Sequence, residues 1–390
     1  MADADVQTLP TAEPAQVRAN TPLTVWWDTI DRPLLAAILL LTGIGAVVSL
    51  AASPSVAINK GLDAFHFVER HLVFAIAAMA ILLLVSGLSA RQVRRLAALV
   101  FAIATAGLVA VLIEGEDLNG AQRWLRFATF TVQPSEFLKP AFVVLCAWAF
   151  SQVDQRRDMP AFPVAASLLV ISVTLLALQP DVGQALLLGV AWGGLMLLSG
   201  LSGLWLVGLI AIGSAGLAAA YLNLDYVRAR VDAFVADGAA STDQTARAIR
   251  SFTEGGFLGK GPGAGQIKSD LPDAHTDFIF AVIAEEYGVV ACLFLVALFG
   301  FITIRLVRAA LQTDVTPDRL ALVGLALVFA GQALINMGVN VGLLPPKGMT
   351  LPLISSGGSS MLAIGLTLGM ALALQRAAQA ASAETSHTDE

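Results

Sequence analysis

Pro33-Leu-Leu-Ala-Ala-Ile-Leu-Leu-Leu-Thr-Gly-Ile-Gly-Ala-Val-Val-Ser-Leu-Ala-Ala52 runs for twenty residues without a charged side chain. Coiled as an α-helix, a stretch of that length spans about 30 Å, the thickness of a bilayer's hydrocarbon core. Working outward, apolar stretches of the same kind recur near 70–88, 96–113, 134–151, 162–179, 183–200, 204–222, 278–304, 319–342 and 358–375. Pro134, Pro140, Pro163 and Pro180 bound or interrupt several of them, which a membrane protein tolerates where neighbouring helices satisfy the freed backbone groups. The expectation is an all-α polytopic membrane protein of about ten spanning helices.

Composition agrees. Over the 390 residues, 57% are hydrophobic and 13% charged, with mean hydropathy +0.76, against roughly 25% charged residues in soluble domains. The net charge of −6 argues against a nucleic-acid partner. Cys146 and Cys292 both sit in apolar runs without neighbouring His or Cys, so neither a disulfide framework nor a thiolate metal site is expected.

Basic residues set the orientation. With the N-terminus inside, the inner segments hold Arg18, Arg32, Arg91, Arg94, Arg95, Arg156, Arg157, Arg305, Arg308, Arg319 and Arg376, and the short outer loops hold Lys60, Arg123, Arg126 and Lys347. The positive-inside bias places both termini in the cytoplasm. Residues 1–32 then read as a cytoplasmic tail, without the basic and apolar regions of a cleaved signal peptide, with Trp26 and Trp27 as an interfacial anchor. The spanning domain covers 33–376, and 377–390 reads as a disordered cytoplasmic tail. The one long loop, 223–277, joins the seventh and eighth spans on the periplasmic side.

Polar residues within spans are costly and therefore informative. Glu136 and Lys139 share a helix face at i, i+3: either an ion pair bracing the bundle or a cavity wall orienting a charged substrate. Gln332, Asn336 and Asn340 step by four along the ninth span and read as helix-packing glue. Glu285 and Glu286 lie two turns into the eighth span, where at least one must face protein or water. Asp181 precedes a helix and suits an N-cap. Gly259 to Gly265 has neither phosphate-loop spacing and reads as a flexible loop. HExxH, CxxC, GxSxG and SxxK are absent from the sequence, which argues against zinc protease, redox and acyl-enzyme chemistry. Asp277 stands where the outer loop enters the eighth span; it is either a helix cap or a general base whose partial burial raises its pKa.

Four stretches carry a resemblance. They are Asn119-Gly120-Ala121-Gln122-Arg123-Trp124 with Gln133 to Lys139; Gln179-Pro180-Asp181-Val182-Gly183; Ala274 to Phe280 with Glu285-Glu286; and Leu344 to Ser355 with Gly357 to Ser360. In that order they resemble the SEDS family (shape, elongation, division and sporulation), which includes FtsW and RodA, and the wording Lys347-Gly348-Met349-Thr350-Leu351-Pro352 looks like the division branch. Ser356 stands where the family often has Tyr. The resemblance implies a ten-helix peptidoglycan glycosyltransferase of the bacterial inner membrane, acting at the division site and polymerising lipid II onto a nascent glycan strand at the outer face. It also implies a class B penicillin-binding protein and other division proteins as partners. It assigns catalysis to Asp277 and substrate binding to Arg123, Trp124, Glu136, Lys139, Asp181, His275, Thr276, Lys347, Ser355 and Ser359. The departing pyrophosphate would need cations such as Lys139, Arg123, Lys347, Arg230 or Lys268, and a divalent ion (Mg or Mn) bridging Asp277 or the pyrophosphate is an open expectation. A lipid II flippase and a non-catalytic division scaffold are the rival readings.

Overall fold

The computed structural model describes residues 21–388 apart from 119–120, 128–129, 156–159, 201–202, 224, 226, 230–231, 233–242 and 347. In chain order these form α1 (Pro22–Thr29), α2 (Arg32–Asn59), α3 (His66–Ser86), α4 (Ala90–Glu114), β1 (Glu116–Leu118), β2 (Ala121–Phe127), β3 (Phe130–Val132) and α5 (Pro134–Gln155). There follow α6 (Ala161–Leu178), α7 (Val182–Leu198), α8 (Gly203–Asn223), α9 (Asp243–Gly255), α10 (Ile267–Asp270), α11 (Ile279–Leu311), α12 (Thr316–Asn340) and α13 (Gly358–Thr388). Among the described residues, eight helices are long and apolar enough to cross a membrane, and two shorter apolar ones lie at Val182–Leu198 and Ile210–Asn223. These coincide with the ten apolar stretches of the sequence.

Local signals explain where the helices begin. The Asp31 carboxylate accepts from Leu34 N at 3.0 Å ahead of Pro33, Ser89 and Gln92 form a reciprocal capping box, and Asp181 caps α7. The centre of the bundle is α5, whose Leu138, Ala141, Phe142, Val143 and Ala147 are fully buried and which packs against α4, α12 and α13. The outer helices expose large apolar side chains such as Leu84, Ile103, Ile113, Val170 and Ile212. In water that surface would drive aggregation; against lipid it is solvated.

Four features differ from the sequence reading. A small antiparallel sheet, β1-β2-β3, follows α4, pairing Trp124 with Glu116 and Leu125 with Val132. The stretch 377–388, read as a disordered tail, continues α13, in keeping with the high helix propensity of Ala377, Ala378, Ala380, Ala381 and Ala383. Of the expected N-terminal tail, 1–20 lie outside the described residues, while 21–32 carry α1, pinned where Trp26 Nε1 donates to Ser86 Oγ at 2.9 Å.

The glycine-rich segment, read as a flexible loop, is docked instead. Helix α11 breaks at Gly288, whose φ of 78° and ψ of 177° belong to a region open in practice only to glycine. The backbone bonds lost there are replaced from outside the helix: Lys260 N and Gly261 N donate to the carbonyls of Glu285 and Glu286 at 2.9 and 3.0 Å, and Val289 N donates to Gly256 O at 2.9 Å. A methyl group on Gly288 would stand 2.3 Å from Phe257 O, and one on Gly259 2.2 Å from Glu286 O. The two chains meet at a distance only glycine permits. Glu285 accepts from the backbone N–H groups of Gln266, Ile267 and Lys268, and Glu286 pairs with the Lys268 ammonium. Both carboxylates therefore fasten the loop.

Candidate active site

Consecutive helices reverse direction, so the ends of α2, α4, α6 and α12 gather with the starts of α3, α5, α7, α11 and α13. At that end the β1-β2-β3 sheet and the segments 271–278 and 341–357 enclose a chamber of about 860 Å³. The opposite end is tied shut by Asp31 with Arg305 at 2.6 Å and Gln375 at 2.9 Å, and by Arg94 with Asp318 at 2.8 Å.

Asp277 is on the chamber wall. Its side chain does not cap α11, where Phe278 holds the cap position without a side-chain hydrogen bond. The turn that presents it is built from backbone: Asp273, with φ of 55°, offers one carbonyl to the N–H groups of Thr276, Asp277 and Phe278. Among the described residues no side chain hydrogen-bonds or ion-pairs with the Asp277 carboxylate. Burial and then the charge of Asp273 push its pKa up to about 7, while the Arg123 guanidinium pulls the other way.

Arg123 is held by the backbone carbonyls that link α6 to α7. Its Nη2 donates to Pro180 O at 2.6 Å and its Nε to Gln179 O at 3.4 Å, with the Asp181 carboxylate 3.8 Å from Nε. Burial raises the Asp181 pKa, and Arg123 opposes that rise. The remaining nitrogen of Arg123, Nη1, and Asp277 Oδ2 flank one point: a carbon on Gly348 would stand 3.5 Å from the first and 3.6 Å from the second.

Of the other residues assigned by the sequence, Trp124, Glu136, His275 and Thr276 line the chamber. Lys139 does not. It lies 1% exposed behind Glu136, with its ammonium 2.9 Å from both Glu136 oxygens and 2.5 Å from Gln332 Oε1. The two readings of the pair thus divide between its members: Glu136 is chamber wall, and Lys139 is the brace that neutralises it. Asp181, Ser355 and Ser359 are buried structural groups. Ser355 Oγ donates to Thr276 O at 2.6 Å and accepts from Leu351 N, and Ser359 Oγ accepts from Gln133 N at 3.0 Å. Lys268 is committed to Glu286, while Lys347 and Arg230 lie outside the described residues.

The Gln332-Asn336-Asn340 stripe does more than pack helices. Asn336 and Asn340 each donate to the Asp277 carbonyl at 2.9 Å, and Asn336 also donates to Met349 O at 2.7 Å. Asn340 Oδ1 accepts from Ala281 N at 3.0 Å, and Gln332 Nε2 donates to Thr350 O at 3.1 Å. One face of α12 therefore fixes both segments that flank Asp277. Replacing Asn336 and Asn340 together by Ala is expected to lower kcat by about ten- to a hundredfold, the scale of misplacing a catalytic group, with little change in KM. Steady-state polymerisation kinetics check this; an unchanged kcat would leave the stripe with packing alone.

The sequence reading missed Lys60, Phe67, Arg70, His71 and Phe74, which also line the chamber. The available signal was the density of His and Arg at 66–71, ahead of an apolar run.

Fold and chamber together define a polytopic membrane protein with a large vestibule, lined by charged, polar and aromatic side chains, at an end of its helix bundle. The model of the cell cycle protein family of FtsW, RodA and SpoVE matches residues 32–380, and the chain belongs to that family. It is 44% identical over 358 residues to the probable peptidoglycan glycosyltransferase FtsW of Caulobacter vibrioides, covering 92% of both chains. It is 34% identical over 351 residues to the protein of the same description from Tolumonas auensis, covering 88% and 91%. Among solved structures it is similar to the rod shape determining protein RodA of Thermus thermophilus (TM-score 0.67, 28% identity, 90% of this chain and 98% of that one). It is also similar to a chain of a peptidoglycan synthase complex described as coordinating polymerization and crosslinking (TM-score 0.75, 29% identity, 90% and 98%).

Proposed function

We propose that this chain is a peptidoglycan glycosyltransferase of the division type, with the chamber as its reaction vessel and Asp277 as its general base. The observation that carries the reading is an uncapped, half-buried carboxylate, raised to about 7, on the wall of a chamber that also holds a fixed guanidinium. The names of the relatives at 44% and 34% identity support the same activity.

In this reading the donor is a glycan strand joined to its lipid through an α-linked diphosphate. The acceptor is lipid II, offering a sugar 4-hydroxyl. Asp277 takes the hydroxyl proton as that oxygen bonds to the donor's anomeric carbon, and the bond from that carbon to the diphosphate oxygen breaks. One displacement inverts α to β, so a second nucleophilic carboxylate, needed by retaining enzymes, has no part to play. Charge growing on the departing diphosphate meets Arg123, already held by the carbonyls of Gln179 and Pro180 and so paying little reorganisation. Lys139 and Lys268, each neutralised by a glutamate, are poor substitutes.

Among the described residues no three His, Cys, Asp or Glu side chains converge on a metal position. A magnesium or manganese ion, if bound, would be held by Asp277, with Asp273 also in the chamber lining, and by diphosphate oxygens of the substrate, as is common for magnesium. It would supply further charge neutralisation to the leaving group.

The basic-residue bias supports a chamber that faces the periplasm of the inner membrane, and the resemblance to the division branch supports placement at the division site. The relative whose complex coordinates polymerization and crosslinking supports a class B penicillin-binding protein as the cross-linking partner.

The pH profile tests the base. A base works only when deprotonated, so with Asp277 near 7 the polymerisation rate should fall about tenfold per unit as pH drops below 7 and level off above it. The assay is glycan polymerisation from labelled lipid II in detergent, measured between pH 5 and 9. A rate flat from pH 5 upward would reject Asp277 as the base.

A further inference from the structure

The reaction brings two diphosphates together, and the site described so far accounts for one. The departing diphosphate is attached to the reacting carbon on the side away from the attacking hydroxyl and Asp277, within reach of Arg123. The acceptor's diphosphate is attached at the far end of the disaccharide whose 4-hydroxyl attacks. It therefore needs its own cations, one disaccharide away from Asp277.

The chamber has a second set of cations on a different wall, contributed by the α2–α3 connection and the first turns of α3. Lys60 and Arg70 line the chamber there and have no carboxylate partner among the described residues. Each lies over an aromatic face instead: Lys60 Nζ is 5.5 Å from the centre of Phe67, and the Arg70 guanidinium is 5.8 Å from the centre of Phe74. Such stacking holds a cation without neutralising it.

His71 adds an unsatisfied group. It is 1% exposed, lines the same chamber, and its Nδ1 lies 3.3 Å from Ser356 Oγ. Its Nε2 has no hydrogen-bond partner. In the tautomer where Nδ1 accepts from Ser356, Nε2 carries the proton and is an unused donor. His275, stacked on Phe67 at 4.5 Å, likewise has an unpartnered Nδ1. Burial, and then Lys60, hold His275 at a pKa of about 4. It is neutral, and Lys60 and Arg70 are close enough to influence it, with only Asp273 acting against them. Unmatched cations and orphaned buried imidazole nitrogens on one wall amount to an anion site without its anion.

We propose that Lys60, Arg70 and His71 form a second diphosphate site, which holds the acceptor lipid II while Arg123 serves the departing diphosphate. This rests on the glycosyltransferase reading above. It also gives the α3 entrance a purpose: Gly358 lets the Phe74 ring lie where a methyl group would stand 2.7 Å from it, bringing α3 against the start of α13 beside the chamber.

The test is stoichiometry in full-length protein carrying Asp277→Asn, which blocks turnover. Native mass spectrometry in detergent with lipid II as the probe should show two lipids bound per chain. Adding Lys60→Ala with Arg70→Ala should leave one lipid bound and weaken the second at least about tenfold, the scale of losing a charge-assisted contact. Arg70→Lys, which keeps the charge, should restore part of that binding. Two lipids still bound tightly to the double alanine variant, or both lost together, would overturn the proposal. If the double variant does not fold, Lys60→Ala alone, at an exposed residue, decides the matter: weakened second binding supports the site and unchanged binding overturns it. Failure of the underlying reading shows separately, because the wild-type protein would then make no polymer from lipid II in detergent, whatever number of lipids it binds.

Discussion

Asp277→Asn should reduce glycan polymerisation by about 10²–10⁴-fold, the usual contribution of a positioned general base, while the protein inserts and melts as the wild type does. Separation of the two effects follows from the structure. The backbone of Asp277 is structural: its N–H donates to Asp273 O and its carbonyl accepts from Asn336 and Asn340. Its carboxylate is not, since it does not cap α11 and pairs with no side chain among the described residues. Asparagine keeps the shape and the backbone bonds and removes only the ability to take a proton. Polymer assays on purified protein in detergent also separate the rival functions. A flippase has no bilayer to cross there and a scaffold makes no polymer, so wild-type polymer lost in the variant supports the enzyme. A variant as active as wild type would remove Asp277 from the mechanism.

Lys139→Met should destabilise the bundle by about 3–5 kcal/mol, the cost of leaving one member of a buried ion pair unmatched. Both partners are almost completely buried, and the Lys139 ammonium meets Glu136 Oε1, Oε2 and Gln332 Oε1. Removing it leaves the Glu136 carboxylate with the Gln184 amide at 2.7 Å. It also frees Gln332, whose amide nitrogen ties down Thr350 and Ser360. The 350 segment and the chamber wall should loosen together. Glu136→Gln with Lys139→Met removes both charges and should recover most of the lost stability. Thermal unfolding in detergent reads the comparison; a single variant as stable as the wild type would show that the pair is not the brace described here.

The helices were legible because their signal is local. Twenty apolar residues in a row need no knowledge of the rest of the chain, and each stretch found in the sequence corresponds to an apolar helix. The β1-β2-β3 sheet was not legible. Its strands of three, seven and three residues are defined by pairing with one another rather than by periodicity. The glycine-rich segment misled for a related reason: many glycines describe a flexible loop and a close backbone docking equally well, and only the kink at Gly288 distinguishes them.

The candidate site was half legible. Asp277, Arg123, Trp124 and Glu136 were identified and do meet in one chamber, while Lys139, Ser355 and Ser359 were identified beside them and lie behind its wall. Asn336 and Asn340 were seen as a polar stripe, yet nothing in their spacing names the Asp277 carbonyl, 59 and 63 positions away, as their acceptor. Lys60 counted in the sequence only as an outer-loop cation, and Arg70 and His71 drew no reading, because nothing in sequence marks them as unpaired.

What the sequence determined by itself was its solvent and the number of apolar segments that meet it, since transfer into lipid is a sum over consecutive side chains. Which polar groups face the chamber and which are neutralised behind it was settled only by the tertiary structure. The state of a buried charge depends on what lies within a few ångströms of it, and those neighbours come from helices far apart along the chain.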